Sequence, residues 1–154
     1  MTIEKMEIKL DRIDLDNKCN LFLFETAGFS MWPFLKDGEK VIVKRTSIRD
    51  LKIGDIILYQ ADDKTICHRL IRKAVQGEIL FYVRADNSTQ IEPVTQDMFL
   101  GKVTAIIKNN REIINFCTKR QRFINYLIVI IAPWIARTVR IIKPLYSKLQ
   151  KEYD

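Results

Sequence analysis

The sequence predicts a mainly β fold: a domain of short strands, residues 1–117, followed by a basic helical segment, residues 118–154. Three observations carry this reading. Short β-branched and aromatic runs alternate with Gly, Asp and Asn turns as far as Phe116. The apolar period then changes, and Phe123 to Ala136 is a nearly unbroken apolar run of 14 residues. Charge divides at about the same place. Residues 1–101 hold 15 Lys and Arg against 16 Asp and Glu, and residues 102–154 hold 11 against 3, so the whole excess of +7 belongs to the last third.

Residues 3–16 alternate loosely between apolar and charged side chains, a pattern that fits a helix or an edge strand. A turn at Asp16-Asn17-Lys18 leads into the aromatic-rich strand Leu21 to Thr26. Asp37-Gly38 is a strong turn signal before the short strand Lys40 to Lys44. Ile56 to Tyr59 and Thr65 to Ile71 read as a hairpin closed by Asp62-Asp63-Lys64. Gln76-Gly77 turns into Ile79 to Val83, and a loop follows from Asn87 that ends at Pro93. Leu100 to Lys108 and Glu112 to Phe116 form a last hairpin around Asn109-Asn110. In the tail, Pro133 is expected to start a second helix and Pro144 to kink it. There Ile135, Val139, Ile142, Tyr146 and Leu149 recur at helical spacing, with Arg and Lys on other faces.

Composition narrows the function. A hydrophobic share of 47% supports a packed core. Cys19, Cys67 and Cys117 are far apart and odd in number, so no zinc site or disulfide framework is expected, and no metal or cofactor. The opening residues are polar and charged as far as Lys18, which is not a signal peptide, so a cytoplasmic location is expected. Basic residues in the tail are interleaved with large aliphatics rather than presented as a polar stripe, which argues against nucleic acid. With Trp134 and Tyr146 as amphipathic anchors, residues 119–151 fit an anionic membrane surface, or a helix packed on its own β-domain.

The chemistry centres on Gly28-Phe29-Ser30-Met31-Trp32-Pro33-Phe34, a Gly/Ser/Pro turn directly after an apolar strand. Such a turn places a hydroxyl at the end of a rigid element. The chain has a single histidine, in Cys67-His68-Arg69-Leu70, and an acidic turn at Arg84-Ala85-Asp86-Asn87. Serine, histidine and an acid are the parts of an activated nucleophile, its base and the base's orienter. The nucleophile elbow of α/β-hydrolases does not fit, because Trp32 stands where that motif needs Gly.

Gly28-x-Ser30-Met31-x-Pro33, Leu51-x-x-Gly54-Asp55-Ile56-Ile57, His68-Arg69, Asp86-Asn87 and Gly101-Lys102-Val103, in that order, resemble the signal peptidase I / SOS-repressor (LexA-like) superfamily of serine peptidases. The resemblance covers about residues 20 to 108. It looks most like the Ser-His-Asp branch, the archaeal and endoplasmic-reticulum type signal peptidases, without their N-terminal membrane helix. The resemblance implies a mainly β peptidase domain and a serine endopeptidase that cleaves a peptide or precursor protein bound in extended form. It implies Ser30 as nucleophile, His68 as base and Asp86 as orienting acid. It gives Gly28, Met31 and Pro33 substrate-wall or oxyanion roles, with supporting roles for Arg69, Asn87 and Glu92. Ala85 stands where the family has Gly. A self-cleaving repressor-type regulator and an inactive membrane-surface binding module are the alternatives.

Overall fold

The computed structural model of the chain describes residues 7–16, 21–76, 78–108, 112–116 and 118–153. The expected turns at 16–18, 76–77 and 109–110 include residues outside that set. Nine strands are present among the described residues, in one antiparallel sheet, followed by a single helix. They are β1 (Glu7–Asp16), β2 (Leu21–Ala27), β3 (Lys40–Lys44), β4 (Ile56–Ala61), β5 (Lys64–Gln76), β6 (Glu78–Arg84), β7 (Ile91–Thr95), β8 (Phe99–Lys108) and β9 (Glu112–Asn115). The helix is α1 (Lys119–Tyr153). The mainly β expectation therefore holds, and the open choice for the first segment resolves to a strand.

The strand order is β1-β2-β3-β8-β4-β5-β6-β7, with β9 on β8. A further pairing, Glu7 with Ile66, brings β1 back to β5. Six strands thus close into a ring, which removes two open edges. β5 belongs to two layers of the structure: its first half pairs with β4, its second half with β6. A register shift between Leu70 and Arg72 marks the change.

Strand alternation divides the interior into two clusters. Ile56, Leu58 and Cys67 pack with Phe24, Met31 and Val103 in one. Ile57, Tyr59, Ile66 and Leu70 pack with Phe81 and Val94 in the other. Successive strand residues point to opposite faces, so each of β4 and β5 feeds both clusters.

Two expectations need correction. The loop expected to run from Asn87 to Pro93 instead contains the start of β7, with Pro93 inside the strand opposite Tyr82. Proline removes one ladder donor, which is tolerated because β7 pairs only with β6 and lies at the edge of the sheet. Likewise, Pro133 does not start a second helix, because α1 runs through it and through Pro144. A proline inside a helix frees the carbonyl four residues earlier. That carbonyl belongs to Val129, and the Arg84 guanidinium donates to it from Nη2 at 2.7 Å. The β-domain supplies the bond that the helix cannot make.

The inner face of α1 rests on this domain. Asn125, Ile128, Ala132 and Ala136 are buried. Gly54, at φ +92°, lets the helix approach so closely that a Cβ there would sit 2.9 Å from the Asn125 carbonyl oxygen. This buried stripe, one turn glycine and one arginine therefore fix where the helix lies.

Candidate active site

The Ser30 turn is built outward from the end of β2. Gly28 adopts φ +100°, a conformation that favours glycine, and its N–H donates to Asp37 Oδ1 at 2.7 Å. Backbone bonds from Trp32 N–H to Phe29 O and from Leu35 N–H to Met31 O tighten the turn, and the Trp32–Pro33 peptide is cis. Met31 and Leu35 are fully buried in the first cluster. Met31 thus pins the turn to the core. Ser30 is itself only 1% exposed, while Phe29 and Trp32 beside it face solvent.

The acidic turn is stitched to this one. Asn87 donates its backbone N–H to Ser30 O at 3.1 Å and its side-chain amide to Phe29 O at 2.7 Å. That is a concrete supporting role for Asn87, across 58 residues of sequence. Ala85 in place of glycine introduces no strain, since Asp62 is the only non-glycine residue with positive φ among the described residues.

Asp86 is almost wholly buried, and both its oxygens are engaged by Arg69. Nε donates to Oδ1 at 2.8 Å and Nη2 to Oδ2 at 2.6 Å, with Arg69 also 1% exposed. The third arm of the guanidinium, Nη1, donates to Gly54 O at 2.9 Å. This bidentate, fully desolvated pair joins β5, the acidic turn and the glycine under the helix. Asp86 was expected to orient the imidazole, and the bonds it makes are structural ones to Arg69.

His68 has other company. Its Nδ1 lies 3.0 Å from the Tyr59 hydroxyl, which in turn donates to Glu92 Oε2 at 3.2 Å. Glu92 Oε2 is 3.9 Å from the same Nδ1. Alternation explains the split. His68 and Arg69 are neighbours on β5 and point to opposite faces, so one acid cannot be the close partner of both. Ile57 opposes His68 and Tyr59 opposes Ile66, which makes Tyr59 the diagonal cross-strand neighbour of His68. Burial pushes the Tyr59 phenol well above its ordinary pKa, and the Glu92 carboxylate adds to the shift. Tyr59 therefore remains a hydroxyl with one proton.

That single proton fixes the direction of the network. Tyr59 donates to the carboxylate, so it can only accept from the imidazole, which places the ring proton on Nδ1. Nε2 then carries the lone pair, the state required of a general base. Glu92, given a supporting role from the sequence, is thus the acid of the histidine network. Tyr59 was missed, although the hairpin register that follows from the Asp62-Asp63 turn places it beside His68.

The remaining expected residue, Pro33, is half-buried. With Phe34 and Arg69 it lines a cleft of about 130 Å³, together with Ile106 of β8, Ile114 of β9 and Ile128 of α1. Among the described residues no group of His, Cys, Asp and Glu could hold a metal ion.

A family model described as Peptidase S24-like matches residues 2–104, a span that holds Ser30, His68, Asp86 and Glu92. Comparison with the curated proteins found no match.

Proposed function

Because the chain belongs to the Peptidase S24-like family, within the superfamily of LexA-like and signal-peptidase-type serine peptidases, we propose that it is a serine endopeptidase of signal-peptidase type acting on a peptide or precursor protein. The observation that carries this reading is the His68–Tyr59–Glu92 chain of hydrogen bonds, which supports His68 as a base. Ser30 and His68 are both buried, and the Ser30 turn is tied to the acidic turn by Asn87.

In this mechanism Ser30 Oγ attacks the scissile carbonyl carbon as its proton passes to His68 Nε2. The imidazole gains a proton on Nε2, keeps the one on Nδ1, and becomes an imidazolium that Tyr59 and Glu92 stabilise. The tetrahedral intermediate collapses, the C–N bond breaks, and His68 delivers the proton to the leaving amine. Water then repeats the sequence on the acyl-enzyme and regenerates Ser30. Asp86 and Arg69 hold the two turns in register and take no proton. The backbone N–H of Ser30 is the oxyanion donor.

The test is labelling by a fluorophosphonate probe, which phosphonylates an activated serine with loss of fluoride and requires no known substrate. Wild type should label at Ser30, and Ser30→Ala and His68→Ala should not label while retaining the wild-type melting curve. Normal labelling of His68→Ala would remove His68 as the base.

The family match also supports a second reading, a regulator that cleaves its own chain. That reading predicts a cleavage rate independent of protein concentration and fragments derived from the purified chain alone. The endopeptidase reading predicts an intact chain and cleavage of added peptide.

A further inference from the structure

We propose that the outer face of α1 is a docking surface for an anionic lipid bilayer, with the helix lying in the plane of the surface. Phe123, Tyr126, Ile130 and Trp134 follow each other at intervals of three, four and four residues, and all four are exposed, Trp134 to 68%. The buried residues Asn125, Ile128, Ala132 and Ala136 repeat the same intervals two positions later. Two residues turn a helix through about 200°, so the stripes lie on opposite sides. One is covered by the β-domain. The other, with Ile131 beside it, is an apolar band roughly 16 Å long on a helix that already has its own packing partner.

Charge selects the occupant. Lys119 and Arg120 stand at one end of the band and Arg137 at the other, all exposed, and the only acidic residue between positions 119 and 153 is Glu152. A second copy packed on this band would set one basic cluster against another. An anionic surface meets the apolar band with its acyl boundary and the flanking cations with its headgroups. No helix among the described residues is long and apolar enough to cross a membrane, which leaves the in-plane orientation.

Docking also sets a distance. The inner face of the same helix lines the cleft beside Pro33, Phe34 and Arg69. A docked chain holds that cleft about one helix diameter, ~10 Å, from the lipid. Arg84 makes the placement rigid, since it binds the Val129 carbonyl and belongs to the strand that ends at the acidic turn.

The experiment is co-sedimentation of the full chain with vesicles of phosphatidylcholine alone and of phosphatidylcholine mixed with phosphatidylglycerol. The full chain should pellet with the mixed vesicles and much less with the neutral ones. Added salt should weaken binding without abolishing it, because apolar burial remains. Ile130→Ser/Trp134→Ser should weaken binding about tenfold or more with an unchanged melting temperature. Lys119→Glu/Arg120→Glu should do so only for the mixed vesicles, which keeps the test independent of the first variant. Failure of the full chain to pellet with the mixed vesicles, or pelleting of both variants with them as complete as that of the wild type, overturns the proposal. So does a wild-type dimer in analytical ultracentrifugation that Ile130→Ser/Trp134→Ser abolishes, since the band then belongs to a second copy. Each of these outcomes leaves the Ser30 labelling experiment unaffected.

Discussion

Replacing Tyr59 by Phe removes one oxygen atom and leaves the ring in place, 5.9 Å between centroids from the imidazole. The oxygen lost is the one that His68 Nδ1 meets at 3.0 Å and that donates to Glu92 at 3.2 Å. In the resting site the cost is a buried imidazole N–H without its acceptor. During reaction the imidazole becomes cationic, and the missing bond is then one to a charged group, worth about 1.5–3 kcal/mol. The rate at which Ser30 is phosphonylated by the probe should fall roughly tenfold to 150-fold. The assay is the second-order rate of fluorophosphonate labelling, followed by intact-mass spectrometry, with thermal melting as the control for folding. Glu92→Gln keeps an acceptor for the Tyr59 hydroxyl and removes only the charge, so its loss should be smaller, about three- to tenfold. Both groups act through the same Nδ1, so Tyr59→Phe/Glu92→Gln should label no more slowly than Tyr59→Phe. A folded Tyr59→Phe chain that labels within about twofold of wild type refutes the network as the support of His68. Strictly additive losses would show instead that Tyr59 and Glu92 act on different atoms.

Arg69→Met leaves the Asp86 carboxylate buried without its cation and should lower unfolding free energy by about 3–5 kcal/mol in urea titration, whereas Arg69→Met/Asp86→Leu should recover most of that loss. Gly54→Ala should cost about 2–4 kcal/mol, because φ +92° and the 2.9 Å approach to Asn125 are both incompatible with a Cβ, and hydrogen exchange should rise along the first turns of α1. Burial pushes the Cys67 thiol up from 9.0 to about 12, so the unfolded chain ionises first. Its contribution to stability is complete below pH 9.0 and is lost as pH rises toward about 12. At about pH 10.5 the folded state should be weaker by about 2 kcal/mol from this group, and Cys67→Ala should flatten the alkaline fall in urea midpoint.

Much of this molecule can be read in its sequence, because the signals are local. Alternation and turn chemistry mark the strands from Leu21 to Phe116 except β7, and Asp37-Gly38 and Asp62-Asp63 mark two of the turns between them. The Ser30 turn, the histidine and the acidic turn can be picked out as chemistry-bearing residues, since each motif is short and contiguous. The family model that matches the chain spans all three. Where local propensity met a tertiary partner, the partner prevailed. Pro133 reads as a helix start, yet the helix continues because Arg84, 45 residues away from Val129, takes the freed carbonyl. Pro93 reads as the end of a loop, yet it sits in a strand because that strand lies at an edge. Asp86 and Glu92 are both acids near the end of β6 in sequence, and spacing alone favours neither as the partner of His68. Folding decides between them, because pleating sends His68 and Arg69 to opposite faces of β5. Asp86 meets the guanidinium on one side, and Tyr59 and Glu92 meet the imidazole on the other. Residue types and their order are one-dimensional and survive in the sequence. Which acid faces which base depends on the register between strands, and only the closed sheet sets it.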